Sequence, residues 1–276
     1  MSSLPRLTDR LSLGSGLLVS PVCLGVVPSP DVVLAAFDAG INFFFVTADM
    51  HWPLYEPLRV GLARLLRRRG VSRDDVVVCA TAYVTQPDFC EMPFEEVVDA
   101  VPGLGRLDVV SMGGVYANDF DARLPVFQRH RGGEFVGCKA IGASLHDRRV
   151  ARRVVEDELT DVAFIRLNPA HPGAARDVLP YAVSPKLKRK TRVYNFKSLD
   201  GFVDAATLDA LGLAKESWRP HPTDFYRFAL SHPGIDGVLA ALSSAGEVRE
   251  LADALTYGPL DPKAMAYLTR VAKALR

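Results

Sequence analysis

From about residue 20 the chain repeats one unit: a short continuous apolar run, a loop, then apolar positions at helical spacing. The runs are Val22–Val27, Ile41–Thr47, Asp75–Tyr83, Leu107–Met112, Lys139–Ser144, Asp161–Leu167, Arg192–Phe196 and Gly237–Leu242. Runs that do not alternate with polar residues read as strands buried on both faces, as in a parallel sheet covered by helices. The pattern predicts helices over Asp31–Gly40, Pro53–Gly70, Pro93–Leu104, Asp119–His130, Asp147–Glu158, Pro172–Leu179, Asp224–Ser231 and Glu247–Leu255, and a last one over Pro262–Leu275. Pro53 is placed to open its helix and Gly70 to close it. Ahead of the first unit, Leu11–Ser20 alternates around Gly14 and Gly16 and reads as a short hairpin.

Strands that alternate with helices in this way imply an α/β fold, here a (β/α)8 TIM barrel preceded by an N-terminal β-hairpin. Residues 1–276 are read as one domain, close to the roughly 250 residues typical of such a barrel. An open, doubly wound sheet is the structural alternative, but no G-x-G-x-x-G follows the first apolar run.

Hydrophobic residues make up 49% of the chain, enough for one large core, and the formal net charge is +1. Bulk charge gives no reason to expect a nucleic acid or an anionic membrane as partner. The start, MSSLPRLTDR, lacks the apolar stretch of a signal peptide, and no run approaches the roughly 18 apolar residues of a membrane span. A soluble cytoplasmic protein is expected. Cys23, Cys79 and Cys138 sit in or beside strand-like runs and read as buried thiols, with Cys90 outside them.

The stretch Ala36–Glu56, AFDAGINFFFVTADMHWPLYE, resembles the second strand of the aldo/keto reductases, F-D-T-A-x-x-Y-G-x-x-E, read as Phe45 to His51 with Glu56 beyond. LSLGSGLLVSPVCLG is similar to the same family's opening hairpin and first strand, AIGAS to its strand five, and RLNPAHPGAARDVLP to the segment after strand six. The resemblance thus covers most of the chain. It implies NADPH hydride transfer with an Asp, Tyr, Lys and His tetrad, whose positions fall on Val46, His51, Ala82 and Gly113. Tyr83 lies one place from the Lys position, but a phenol cannot supply the ammonium charge. Of the family's cofactor contacts, the Ser-Asn pair becomes Ser144-Leu145, the strand-six Gln falls near Phe164, and the Gly after strand eight falls on Leu242. Lys197-Ser198-Leu199-Asp200-Gly201 is similar to the K-P-L-x-x-G turn along the pyrophosphate. Ser243 and Ser244 open a helix whose free N–H groups suit an anion. NADP(H) is therefore the cofactor the resemblance suggests, held by Ser144, Lys197, Ser198, Leu199, Gly201, Ser243 and Ser244.

Polar side chains gather at the predicted strand ends, which face the active site in such barrels. The candidates for chemistry are His51, Tyr83, Arg166, Asn168 and His171, and those for substrate contact are Trp52, Tyr55, Tyr116, His146 and Lys197. Arg166 and Asn168 alternate to one side of their strand, and a guanidinium there requires an anion, internal or carried by a substrate. His51, His146 and His171 show no metal-ligand spacing, so no metal is expected. The basic run Lys186–Arg192 reads as a solvated loop or a docking patch for an acidic carrier protein.

Three functions follow as expectations. The first is an enzyme of altered, acid/base or cyclising chemistry on a small anionic metabolite. The second is an NADP(H)-dependent oxidoreductase with His51 as proton donor. The third is a non-catalytic barrel that binds or regulates a protein partner.

Overall fold

The computed structural model describes residues 3–133, 135–188, 191–210, 212 and 217–274. A two-stranded antiparallel hairpin, β1 (Leu11–Ser12) with β2 (Leu18–Val19), precedes eight parallel strands. These are β3 (Val22–Leu24), β4 (Phe43–Thr47), β5 (Val77–Ala82), β6 (Val109–Val115), β7 (Ala140–Leu145), β8 (Val162–Arg166), β9 (Arg192–Phe196) and β10 (Gly237–Ala240). They pair in chain order, and β10 bonds back to β3 to close the barrel. The (β/α)8 barrel with an N-terminal hairpin that the apolar runs imply is thus the fold observed.

The helices are α1 (Pro30–Asp38), α2 (Glu56–Leu66), α3 (Pro93–Ala100), α4 (Phe120–Arg129), α5 (Arg148–Glu156), α6 (Ala174–Asp177), α7 (Leu179–Ala182), α8 (Ala205–Ala210), α9 (Pro222–Leu230), α10 (Ala245–Thr256) and α11 (Pro262–Ala274). Most follow the pattern, α5 most plainly: Val150, Ala151, Val154 and Val155 are buried while its arginines face out. Three differ. The stretch Pro53–Gly70 begins as a 3-10 turn over Trp52–Tyr55 and ends at Leu66. Pro172–Leu179 becomes two single turns, because Pro180 has no N–H to donate to a preceding turn. Helix α8 lies in a stretch to which the pattern assigns no element. Leu275, assigned to the last helix, lies outside the described residues.

Inside the barrel, aromatic rings from opposite strands fill the axis. Phe43 meets Tyr194 edge-on at 5.4 Å, and Phe45 meets Phe164 at 5.1 Å. Close packing leaves no room for a side chain beside Tyr194: a Cβ on Gly237 would lie 2.4 Å from its ring. All four cysteines are free and buried.

The N-terminal end of the barrel carries a regular device. Alternate strands are preceded by Asn or Asp, whose side-chain oxygen accepts an N–H from the neighbouring strand or the residues leading into it. Asn42 Oδ1 accepts from Ser20 at 2.7 Å, Asp108 Oδ2 from Val78 at 2.8 Å, Asp161 Oδ2 from Ile141 at 2.9 Å and Asp236 Oδ2 from Val193 at 2.9 Å. Arginines neutralise the three acids: Arg73 and Arg106 at Asp108, Arg131 at Asp161, Arg192 at Asp236. Buried carboxylates need such partners, and this end of a barrel carries stability rather than chemistry.

Candidate functional site

At the opposite end, beyond the strand C-termini, lies a cleft of about 1210 Å³. Of the residues singled out in the sequence, His51, Tyr55, Tyr83, Tyr116, Ser144, His146, Lys197, Ser198 and Leu199 line it, together with Phe45, Gly113 and Phe196. Trp52, Arg166, Asn168, His171, Gly201, Ser243 and Ser244 are not among its lining residues.

His51 and Tyr83 stand together, ring centroids 5.9 Å apart and nearly perpendicular. Two local features place them. His51 adopts a left-handed backbone, φ 66°, where the chain turns from β4 into the 3-10 turn. The Asp49 carboxylate, meanwhile, collects the N–H groups of Met50 at 2.6 Å, Tyr83 at 2.7 Å and Val84 at 3.0 Å, tying the exits of β4 and β5 together. The Tyr83 ring then lies over a side-chain gap at Gly113-Gly114. A Cβ on Gly113 would come within 2.9 Å of the Tyr83 ring and 2.8 Å of Thr81 Cγ2. Gly114 takes φ 57°, where β6 departs from regular pairing before Val115. Burial, and then the Asp49 charge, push the Tyr83 phenol above its ordinary pKa, so it stays protonated.

Strand register decides which side chains reach this cleft. Successive side chains on a strand face opposite ways. Phe43 and Phe45 point into the barrel, and Phe45 reaches the cleft, which turns Val46 outward to full burial. Ala82 is likewise buried outward, and Tyr83 enters the cleft. Val46 and Ala82, on which the resemblance places the family's Asp and Lys, thus face away from the cleft. The side chains that face the cleft are Phe45 and Tyr83.

Behind the two strand ends sits Arg123, a fully buried guanidinium from α4. It donates to the carbonyls of Gly113 at 3.0 Å and Ala82 at 2.9 Å and pairs with Asp119 at 2.8 Å. Asp119 in turn accepts the Tyr116 N–H at 3.0 Å. Sequence reasoning passed over Arg123, yet a signal was present. It occupies the same helical stripe as Phe120, Leu124 and Phe127, where a charged residue has to find partners inside.

The other wall is aromatic and basic. Tyr116 stacks on His146 at 5.7 Å, and His146 meets Phe196 at 5.2 Å. Arg166 is in register with Phe196, which lines the cleft, so its side chain is directed to the barrel mouth. Burial first, then the charges of Arg166 and Lys197, lower the His146 pKa and favour the neutral imidazole.

Asn168 and His171 build this wall rather than line it. Asn168 Nδ2 donates to the carbonyl of Lys197 at 2.8 Å, fixing a residue held at φ 55°, while its Oδ1 accepts the His171 N–H at 2.8 Å. His171 Nδ1 lies 3.6 Å from Asp200. The Ser198 hydroxyl donates to Asn195 Oδ1. Trp52 is covered by the Arg59 guanidinium, 3.5 Å from its ring centre.

The N-terminus of α10 is closed by its own residues. Ser243 donates its N–H to the Glu247 carboxylate at 2.7 Å, and Ser244 Oγ accepts the Glu247 N–H at 3.1 Å. An anion there would meet a carboxylate. Among the described residues no group of three or more His, Cys, Asp or Glu could hold a metal, and no helix is long and apolar enough to cross a membrane. Arg189 and Lys190, in the basic run, lie outside the described residues.

No family model matches the chain, and no curated protein matches it. Solved structures do. The aldo-keto reductase AKR11C1 from Bacillus halodurans, in its holo form, is 15% identical, with a TM-score of 0.69 over 97% of each chain. PA4992 from Pseudomonas aeruginosa, a proposed aldo-keto reductase, is 18% identical, with a TM-score of 0.64 over 99% of this chain and 98% of that one. At these identities the likeness shows the fold: the chain is a closed (β/α)8 barrel similar to those of solved aldo-keto reductases.

Proposed function

We propose that this barrel is an enzyme of acid/base chemistry on a small anionic metabolite, using His51 and Tyr83 where the reductases use their tetrad. The observation that carries the reading is the His51–Tyr83 pair in the cleft, with Gly113 and Gly114 bare beneath the phenol. Phe45 and Gly113 bring no acid, amine or imidazole to the positions around them. An imidazole is the side chain best suited to moving a proton at neutral pH. A phenol kept protonated can donate a hydrogen bond to a substrate oxygen as charge develops there. His51 would take a proton from the carbon beside a carbonyl, the electron pair would move onto the carbonyl oxygen held by Tyr83, and His51 would return the proton.

The likeness to a holo reductase makes NADP(H) plausible, and NADP(H)-dependent reduction with His51 as proton donor is the second reading. Ser144 and Phe196 in the same cleft support it, since their side chains fit a nicotinamide ring. The groups at α10 do not fit a phosphate, because Glu247 already holds the Ser243 N–H. No step is derived through the dinucleotide.

Incubation in deuterium oxide with a panel of small keto acids, followed by proton NMR, tests the proposal. Exchange of the α-hydrogen without cofactor, lost in His51→Ala and reduced in Tyr83→Phe, is the expected result. NADPH-dependent reduction of the panel without exchange would replace this reading with the second. A panel left untouched, with a stoichiometric protein co-purifying, would point to a non-catalytic barrel.

A further inference from the structure

The charged groups around the cleft are unequally engaged. Asp49 accepts three N–H groups, Asp119 pairs with Arg123 and holds the Tyr116 N–H, and Asp200 lies beside His171. Arg166 and Lys197 have no side-chain ion pair or hydrogen bond among the described residues. Arg166 is in register with Phe196, and Lys197 follows Phe196 in the chain, so two positive groups share one corner of the barrel mouth. Guanidinium and ammonium groups on the same side of a cleft, without a counter-ion, repel each other. That cost is recovered when an anion enters.

The same corner carries an aromatic wall. Tyr116 stacks on His146 with the two rings 23° from parallel, and the Phe196 ring packs against the imidazole at a tilt of 55°. Phe45, Tyr55 and Tyr83, from the ends of β4 and β5, line the same cleft, so its walls are rich in aromatic rings. Such a lining favours a planar conjugated body over a puckered saturated ring, because rings gain from offset or edge-on stacking beyond the area they bury.

From these neighbours we infer that the cleft takes a planar, conjugated anion: its carboxylate or phosphate sits at Lys197, on the side where Arg166 is directed to the barrel mouth, and its ring lies against the Tyr116, His146 and Phe196 rings. The inference rests on the cleft being a substrate site and names the class of molecule it admits. It also assigns work to Arg166, the one side chain among the expected catalytic residues that neither lines the cleft nor builds the Lys197 turn. The residue acts by binding, not by proton transfer.

Calorimetric titration of the full chain with benzoate, phenyl phosphate, cyclohexanecarboxylate and inorganic phosphate tests this. Benzoate or phenyl phosphate should bind, and cyclohexanecarboxylate should bind more weakly than benzoate. Arg166→Gln and Lys197→Gln should each weaken the aromatic anion about tenfold or more, the scale of one charge-assisted hydrogen bond. His146→Ala should erase the preference for benzoate over cyclohexanecarboxylate. As a check independent of affinity, the His146 ring signals should move when benzoate is added and should not move with inorganic phosphate diluted to the same ionic strength. Failure of both aromatic anions to bind at millimolar concentration overturns the inference, as does binding that survives unchanged in the double Arg166→Gln, Lys197→Gln variant. Equal affinity for benzoate and cyclohexanecarboxylate removes the part given to the aromatic wall. None of these readouts involves His51 or Tyr83, so the subsite can fail while deuterium exchange persists, and the reverse.

Discussion

Arg123 donates to the Gly113 carbonyl from within α4 at 3.0 Å, so a fully buried cation fixes the end of the strand over which Tyr83 lies. Its other bonds, to Ala82 and Asp119, reach the next strand and the loop that carries Tyr116. Replacement by Met would leave two buried carbonyls and a carboxylate without their donor. Breaking such a pair from one side costs about 3–5 kcal/mol. Denaturant unfolding of Arg123→Met should show a loss of this size, and Arg123→Lys, which restores the charge but not the fork of donors, should recover only part of it.

Gly113→Ala tests whether the bare strand end is needed by the phenol. The new Cβ would stand 2.8 Å from Thr81 Cγ2 and 2.9 Å from the Tyr83 ring, closer than carbon atoms tolerate. Overpacking of this kind costs about 1–3 kcal/mol. A crystal structure of the variant should show the Tyr83 ring moved from its place beside His51, and deuterium exchange should fall with it. An unmoved ring would mean that Thr81 yields instead.

Asp49→Asn probes the charge beside Tyr83. Burial is the larger cause of the raised phenol pKa and Asp49 the smaller, so the variant should titrate at lower pH than the parent while staying above an ordinary tyrosine. The sign for stability follows. A phenol whose folded pKa is raised contributes stability that is present below its unfolded value, near 10, and is lost as pH rises through the folded value. Measured against its own stability at neutral pH, Asp49→Asn should therefore lose less than the parent as the pH rises past 10. Tyrosinate absorbance and circular dichroism followed across the same titration check both statements.

His146 works in the opposite direction. Its folded pKa is lowered, by burial and then by Arg166 and Lys197, so its contribution is present above the unfolded value of about 6.5 and is lost as pH falls through the folded value. His232, lowered by burial, adds to the same slope. Stability should decline as pH drops below neutrality, and Arg166→Gln should raise the His146 pKa and reduce part of that decline. The two histidine titrations, followed by NMR, separate the contributions.

The fold could be read in the chain because strands buried on both faces leave unbroken apolar runs, and all eight runs became barrel strands. The hairpin followed from Gly14 and Gly16. Boundaries were less legible where one residue overrides a pattern: Pro180 splits a predicted helix, and Gly114 lets β6 continue past Met112 to Val115. The polar residues at strand ends were visible, but their division of labour was not. Asn168 and His171 look the same in sequence as His51 and Tyr83. The first two spend their polar atoms on holding the Lys197 turn, and only coordinates tell a side chain that supports a loop from one that faces the cleft. That Val46 and Ala82 face away from the cleft was not legible either, because a matching motif does not reveal which face of the strand it occupies.

The four Asx side chains at the barrel floor join strands two by two: β3 with β4, β5 with β6, β7 with β8, β9 with β10. Seams between these couples have backbone bonds but none of these side-chain ties among the described residues. The molecule is in that respect four double-stranded staves set edge to edge. When solvent reaches the sheet amides it should enter by the seams, so amides bridging β4 to β5 or β6 to β7 should exchange sooner than those within a stave, and a break in one seam leaves each couple's own floor tie intact.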